Sequence, residues 1–283
     1  MMVRIIESPR EAMQSLPYVI PTDRKVRYLN ELLKVGFDTV ELGSMVSPHL
    51  IPQLADTVAV IQQLDFADTR SNGMVLVVNS QGAEKVTEVD GITHLCYPFS
   101  PSAVFLKKNL NTTPEKAIQT IEDLLNIVVR RNRLLIVYLS MGFGNSYGDP
   151  WNLDILLKTI STLREMGIRQ ITLSNVSLEI SAELVRDVYT TIIPAFTNIE
   201  FGLHLHTISA SWKQKVEAAW DAGCRIFDSV IHGIGGCPMT GEELLGNLRT
   251  EYLIRFLNER KVQTSVDPVL FEKSLELASE IFN

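Results

Sequence analysis

Residues 201–238 read FGLHLHTISASWKQKVEAAWDAGCRIFDSVIHGIGGCP, and the hydrophobic period switches along them from strand to helix and back. The opening positions suit a strand over 200–204. Positions 209–222 then place apolar residues at helical spacing, and Gly223 follows where a left-handed residue closes a helix. A second short apolar run, over 226–230, completes the unit. Strand, helix, glycine and strand make one βα crossover, the connection that parallel strands require.

The unit recurs in both directions. Strands are expected over 3–7, 39–42, 74–78, 93–97, 134–139, 170–174, 200–204 and 226–230. Helices are expected over 22–35, 51–64, 81–89, 114–131, 152–166, 181–193, 209–222 and 246–260, with a last one over 268–282. The glycine turn returns as VGFDTV and MGIRQI, and Thr113-Pro114 marks a helix start with proline in its first turn. Eight strands alternating with eight helices close most economically as an α/β (β/α)8 TIM barrel with an extra C-terminal helix. The 283 residues match a fold that takes about 250. An open doubly wound sheet is the alternative, but the glycine fingerprint it needs after the first strand is absent. No linker or composition shift divides the chain, so 1–283 is read as one domain.

A net charge of −7 with no long basic run argues against nucleic acid as a partner. No apolar run approaches the roughly 18 residues of a membrane helix. Three cysteines, at 96, 224 and 237, form neither a metal-ligand spacing nor an even disulfide framework. With no signal peptide legible in MMVRIIES, the protein is expected to be cytoplasmic.

A barrel of this type puts chemistry at the C-terminal ends of its strands. After the first strand, Glu7, Arg10, Glu11 and Gln14 crowd a loop that either faces the mouth or is a solvated turn. Glu41 ends the second strand, and a structural pair with Arg10 is the plain alternative to a catalytic role. Lys107-Lys108 is a short basic pair near the same face. The sixth strand ends at Ser174-Asn175. His204 and His206 alternate to the same side of a strand, so both imidazoles can reach one point, as metal ligation needs. A pair of core or capping histidines is the other reading. Cys237 sits in a glycine-rich loop that suits a mobile acid–base thiol or an incidental one. Asn247 opens the expected eighth helix, where an asparagine is often only a cap.

These motifs together resemble 3-hydroxy-3-methylglutaryl-CoA lyase, among the TIM-barrel metal-dependent lyases and acyl-CoA condensing enzymes. The resemblance runs nearly end to end, through PREAMQ, VELGSMVSPHLIPQLAD, HLH and GIGGCP with GN after it. It implies a carbon–carbon lyase that cleaves a 3-hydroxyacyl-CoA to acetyl-CoA and a keto acid. It also implies Glu11, His204, His206 and Asn247 as metal ligands, with Arg10, Glu41 and Cys237 catalytic. Gln14, Lys107, Lys108 and Asn175 would contact substrate. The mixed nitrogen and oxygen ligands suit Mg²⁺ or Mn²⁺, and the family pattern implies a homodimer. Where the family's first loop reads RDGLQ, this chain has Arg10-Glu11-Ala12-Met13-Gln14. Asn175 and Thr207 stand where the family has aspartates, and the basic residue expected after the first loop is replaced by Ser15-Leu16-Pro17. A divergent aldolase or acyltransferase acting on another oxo or hydroxy acid, or a binding homologue with a decayed site, would also carry these changes.

Overall fold

The computed structural model describes residues 3–176, 178–236 and 245–282. Its strands are β1 (Arg4–Glu7), β2 (Thr39–Ser44), β3 (Asn72–Leu76), β4 (Ile92–Phe99), β5 (Leu134–Ser140), β6 (Gln170–Ser174), β7 (Glu200–His204) and β8 (Ile226–Ser229). All pair in parallel and in sequence order, and β8 returns to β1 to close the barrel. The helices are α1 (Pro9–Gln14), α2 (Thr22–Val35), α3 (Thr57–Ile61), α4 (Ser80–Thr87), α5 (Ala103–Leu110), α6 (Pro114–Arg131), α7 (Leu153–Met166), α8 (Ala182–Ala195), α9 (Trp212–Asp221), α10 (Thr250–Glu259) and α11 (Pro268–Phe282).

Local chemistry accounts for the boundaries. The Thr113 hydroxyl accepts from the Lys116 N–H to start α6, and Asn152 caps α7 through the Ile155 N–H at 2.9 Å. Gly36 and Gly167 close α2 and α7 in the left-handed conformation. Inside the barrel Ile6, Met74, Cys96, Ile136, Tyr138 and Ile226 pack together. The larger apolar layer lies between the strands and the helices.

Four segments depart from the sequence reading, the first being α5, a helix where none was expected, started by the Ser102 hydroxyl accepting the Phe105 N–H at 3.0 Å. The helix expected over 51–64 is broken into a 3-10 turn, Pro52–Leu54, and α3. Thr57 turns its hydroxyl onto the Leu54 carbonyl at 2.8 Å and accepts the Ser44 N–H at 3.2 Å, tying this stretch to the end of β2. The loop after β1 is instead helical, because Pro9 presets the first turn of α1. The helix expected from 246 begins at Thr250. Residues just before it pair as extended chain with the barrel rim, His206 with Asn247 and Val230 with Arg249. Asn247 is therefore a bridge residue and caps nothing.

Candidate metal centre

Glu11 comes from α1, His204 is the last residue of β7, and His206 lies two residues beyond it. All three are buried, and one ligand atom from each lies within 4.8 Å of the others. The two imidazoles stand edge to face with centroids 4.9 Å apart. The bridge from His206 to Asn247 brings the asparagine alongside. Its Nδ2 donates to the Ile234 carbonyl at 3.0 Å, while its Oδ1 is buried with no hydrogen-bond partner among the described residues. His206 Nδ1 is likewise buried and unpartnered. An unpartnered amide oxygen and an unpartnered imidazole nitrogen beside a carboxylate and a second imidazole are donor types that a cation can satisfy. Among the described residues the donor set is mixed nitrogen and oxygen with no thiolate, which fits a divalent cation.

Arg10 sits behind Glu11. It contacts Glu11 at 2.5 Å, grips both oxygens of Glu41 at 2.8 and 3.0 Å, and reaches Gln14 Oε1 at 3.1 Å. The α1 turn puts Arg10 and Gln14 four residues apart on one face. Burial alone would raise the Glu11 pKa, but Arg10 and the two imidazoles outweigh it and hold that carboxyl below its ordinary value. Glu41 goes the other way: burial outweighs Arg10 and pushes it up. The guanidinium stays cationic, since the carboxylates around it more than repay its desolvation. Glu41 is wholly buried, so the plain alternative of an Arg10–Glu41 pair is realised.

His204 is oriented by residues the sequence reading did not name. Its Nδ1 meets Asp228 Oδ2 at 3.0 Å, and the same oxygen accepts the Tyr138 hydroxyl at 2.6 Å. Tyr138 also packs its ring against His204, centroids 5.7 Å apart. With Nδ1–H given to Asp228, the free lone pair of His204 is on Nε2, the arrangement that metal-bound imidazoles use. Burial would lower the His204 pKa, but Asp228 outweighs it and raises it. His206 has no such partner, and desolvation together with His204 lowers it to about 3. On the other flank the Cys96 thiol donates to Glu41 at 3.4 Å. No local sequence pattern marks Asp228; it becomes the direct neighbour of His204 only through the barrel register.

The remaining expected site residues divide. Arg10, Glu11, Gln14, His204 and His206 line one pocket of about 120 Å³, whose other walls include Val46, Leu76 and Val78. Lys108 lines an adjoining cavity of about 830 Å³ and stacks its ammonium over the Tyr147 ring at 4.5 Å. Both spaces share Val46, Val78, Asn109 and Leu110. Lys107 is exposed at the end of α5 and bonded to Asn111 at 2.7 Å. Asn175 is wholly buried and lines neither space, its amide being engaged by backbone. Glu7 is also turned away from the pocket: it accepts the Ile231 N–H at 2.9 Å and meets the Thr250 hydroxyl at 2.5 Å. Cys237 lies outside the described residues.

Comparisons with known proteins bear on the family and the fold. A family model described as HMGL-like matches residues 3–277. The chain is 28% identical over 276 residues to the hydroxymethylglutaryl-CoA lyase of Bacillus subtilis (strain 168), covering 96% of this chain and 89% of that protein. It is 27% identical over 274 residues to the (R)-citramalyl-CoA lyase of Chloroflexus aurantiacus, covering 92% and 84%. A solved structure of the Bacillus subtilis HMG-CoA lyase superposes with a TM-score of 0.92 at 26% identity, over 99% of this chain and 94% of that one.

Proposed function

The chain belongs to the HMGL-like family, and on that footing we propose that it is a divalent-metal-dependent carbon–carbon lyase acting on an acyl-CoA. The observation that carries this reading is the buried cluster of Glu11, His204 and His206 with the unpartnered Asn247 Oδ1 beside it. Those four residues would hold the ion, which when bound supplies Lewis acidity to the oxygens of the substrate's reacting end. Among the described residues no helix is long and apolar enough to cross a membrane.

The reaction breaks the bond between C2 and C3 of a 3-hydroxyacyl thioester. The hydroxyl proton passes to the Cys237 side chain, present as thiolate, C3 becomes a carbonyl, and the thioester fragment departs as an enolate that receives that proton at C2. Arg10 offers fixed positive charge to the enolate oxygen, and Glu41 keeps that guanidinium from swinging away. Asp228 and Tyr138 hold the His204 ring while charge redistributes. Cys237 is thus both proton acceptor and proton donor in this proposal. The cavity of about 830 Å³ that adjoins the small pocket suits the long arm of coenzyme A, with Lys85 and Lys108 on its walls. That favours a thioester over a free oxo acid. The hydroxymethylglutaryl and citramalyl thioesters are the first substrates to offer, because relatives bear those names. A single catalytic domain working as a homodimer completes the proposal.

The test is purified protein with Mg²⁺ or Mn²⁺ and those two thioesters. Acetyl-CoA release that is lost in His204→Ala and Cys237→Ala supports the reading. A folded, metal-loaded protein that cleaves neither, nor any other 3-hydroxyacyl-CoA, overturns it. Elemental analysis showing no bound metal would point to a binding homologue instead.

A further inference from the structure

The two histidines are held in different ways. His204 belongs to β7 and is steered by its ring, through Asp228. His206 lies past the end of β7, and its ring Nδ1 touches no polar group among the described residues. With no hydrogen bond steering that nitrogen, the ring is placed by its backbone and by its edge-to-face contact with His204.

On one flank that backbone is secured by the rim segment: Thr207 N donates to the Gly246 carbonyl at 2.8 Å, and Leu248 N donates to the Leu205 carbonyl at 3.0 Å. On the other flank the β6–β7 ladder has run out, since its last pair is Ser174 with His204. The Asn175 side chain continues it. The His206 N–H donates to Asn175 Oδ1 at 2.8 Å, and Asn175 Nδ2 donates back to the His206 carbonyl at 2.8 Å. A primary amide carries one acceptor and two N–H groups, so it can pair with both backbone groups of one residue as a neighbouring strand would. The second N–H goes to the Leu178 carbonyl at 2.5 Å, which fixes the turn leaving β6. Both donors are thus spent within the protein, and the residue has no exposed surface.

We propose that Asn175 is a positioning residue for His206, a side-chain strand partner that holds the second imidazole at the metal centre, and not a substrate-binding group. The inference rests on the metal-centre reading above but not on the lyase reaction. In this chain the arrangement uses both N–H groups of an asparagine, at a position where the family has an aspartate. An aspartate keeps the acceptor for the His206 N–H but sets its second oxygen against two carbonyl oxygens, with no proton for either at neutral pH. It must take up a proton, which serves only one of the two, or push the turn and His206 apart.

The test measures Mn²⁺ affinity of the full-length protein by calorimetry, with no substrate present. Asn175→Asp is expected to weaken binding about 10- to 100-fold, the usual cost of removing a residue that orients a ligand. Asn175→Ala, which adds no charge, is expected to weaken it about 10-fold and carries the test if the aspartate variant does not fold. In a His206→Ala background the same substitutions should cause no further loss, because the group they position is gone. Wild-type affinity in both single variants would overturn the proposal. An equal loss with and without His206 would also overturn it, as would unchanged Mn²⁺ affinity with a raised KM for thioester. If the wild type binds Mn²⁺ but cleaves no thioester, the lyase reading fails while this one is still decided.

Discussion

Glu7 offers a measurement that separates buried charge from packing. Its carboxyl has no exposed surface, and burial pushes its pKa up to about 8 from 4.5, against the opposing pull of the Thr250 hydroxyl and the Ile231 N–H. The Thr250 hydroxyl has one hydrogen and two acceptors within reach, Glu7 Oε2 at 2.5 Å and Ser229 Oγ at 3.0 Å. When Glu7 is protonated it can donate to Thr250, which then donates to Ser229, so every group is served. When it is ionised the link to Ser229 is lost. The folded pKa is the raised one, so this contribution to stability is fully present below the unfolded value and is lost as pH rises through the folded value. Over that window the unfolded chain carries the charge and the folded chain the proton. At about 1.4 kcal/mol per pH unit the loss is on the order of 5 kcal/mol. Glu7→Gln keeps the acceptor for Ile231 and always has an N–H for Thr250. Urea denaturation at several pH values from about 5 to about 8 should show the variant matching wild type at the acid end and exceeding it by several kcal/mol at the alkaline end. Parallel stability curves for the two proteins would refute the reasoning.

Other perturbations report on the centre itself. Asp228→Asn should lower Mn²⁺ affinity about 10- to 100-fold, read by calorimetry, because the amide no longer dictates which nitrogen of His204 carries its proton. Arg10→Met leaves Glu11 and Glu41 buried without their counter-charge, and urea melts should show a loss of about 3–5 kcal/mol. Gly235 has φ +105, and a Cβ there would lie 2.5 Å from the Glu11 carbonyl and 3.1 Å from Asn247 Nδ2. Gly235→Ala should therefore lower the melting temperature and weaken metal binding together, and a change in neither would count against the packing described. His206 is held neutral, with its pKa down at about 3. Its contribution to metal-free stability is present above its ordinary value of 6.5 and lost as pH falls toward 3. The acid melting curve of His206→Asn should be shallower than that of wild type.

Much of the barrel was legible because parallel strands and their covering helices write strong local patterns. The run ending at His204, the helix before Gly223 and the strand at Ile226 appear in the structure within a residue or a few of where their hydrophobic periods place them. The misreadings fall where a side-chain hydrogen bond, a rim pairing or a proline decides the backbone. Thr57 interrupts an apolar pattern that reads as one long helix. The rim pairs of Asn247 and Arg249 delay α10, although the residues there would accept a helix. Pro9 makes a helix of a segment whose polar composition reads as loop.

For the centre, residue chemistry and alternation along one strand were enough to single out His204 and His206, since residues two apart share a face. Resemblance added Glu11 and Asn247. What only the tertiary structure decided was which groups serve these residues from other strands. Asp228 reaches His204 from β8, Tyr138 reaches Asp228 from β5, Cys96 reaches Glu41 from β4, and Asn175 continues the ladder beside His206 from the end of β6. Hydrophobic period and turn residues act over a few positions and are written locally. Hydrogen bonds between neighbouring strands depend on the register of a closed sheet, and closure brings together residues tens of positions apart whose pairing no local pattern carries.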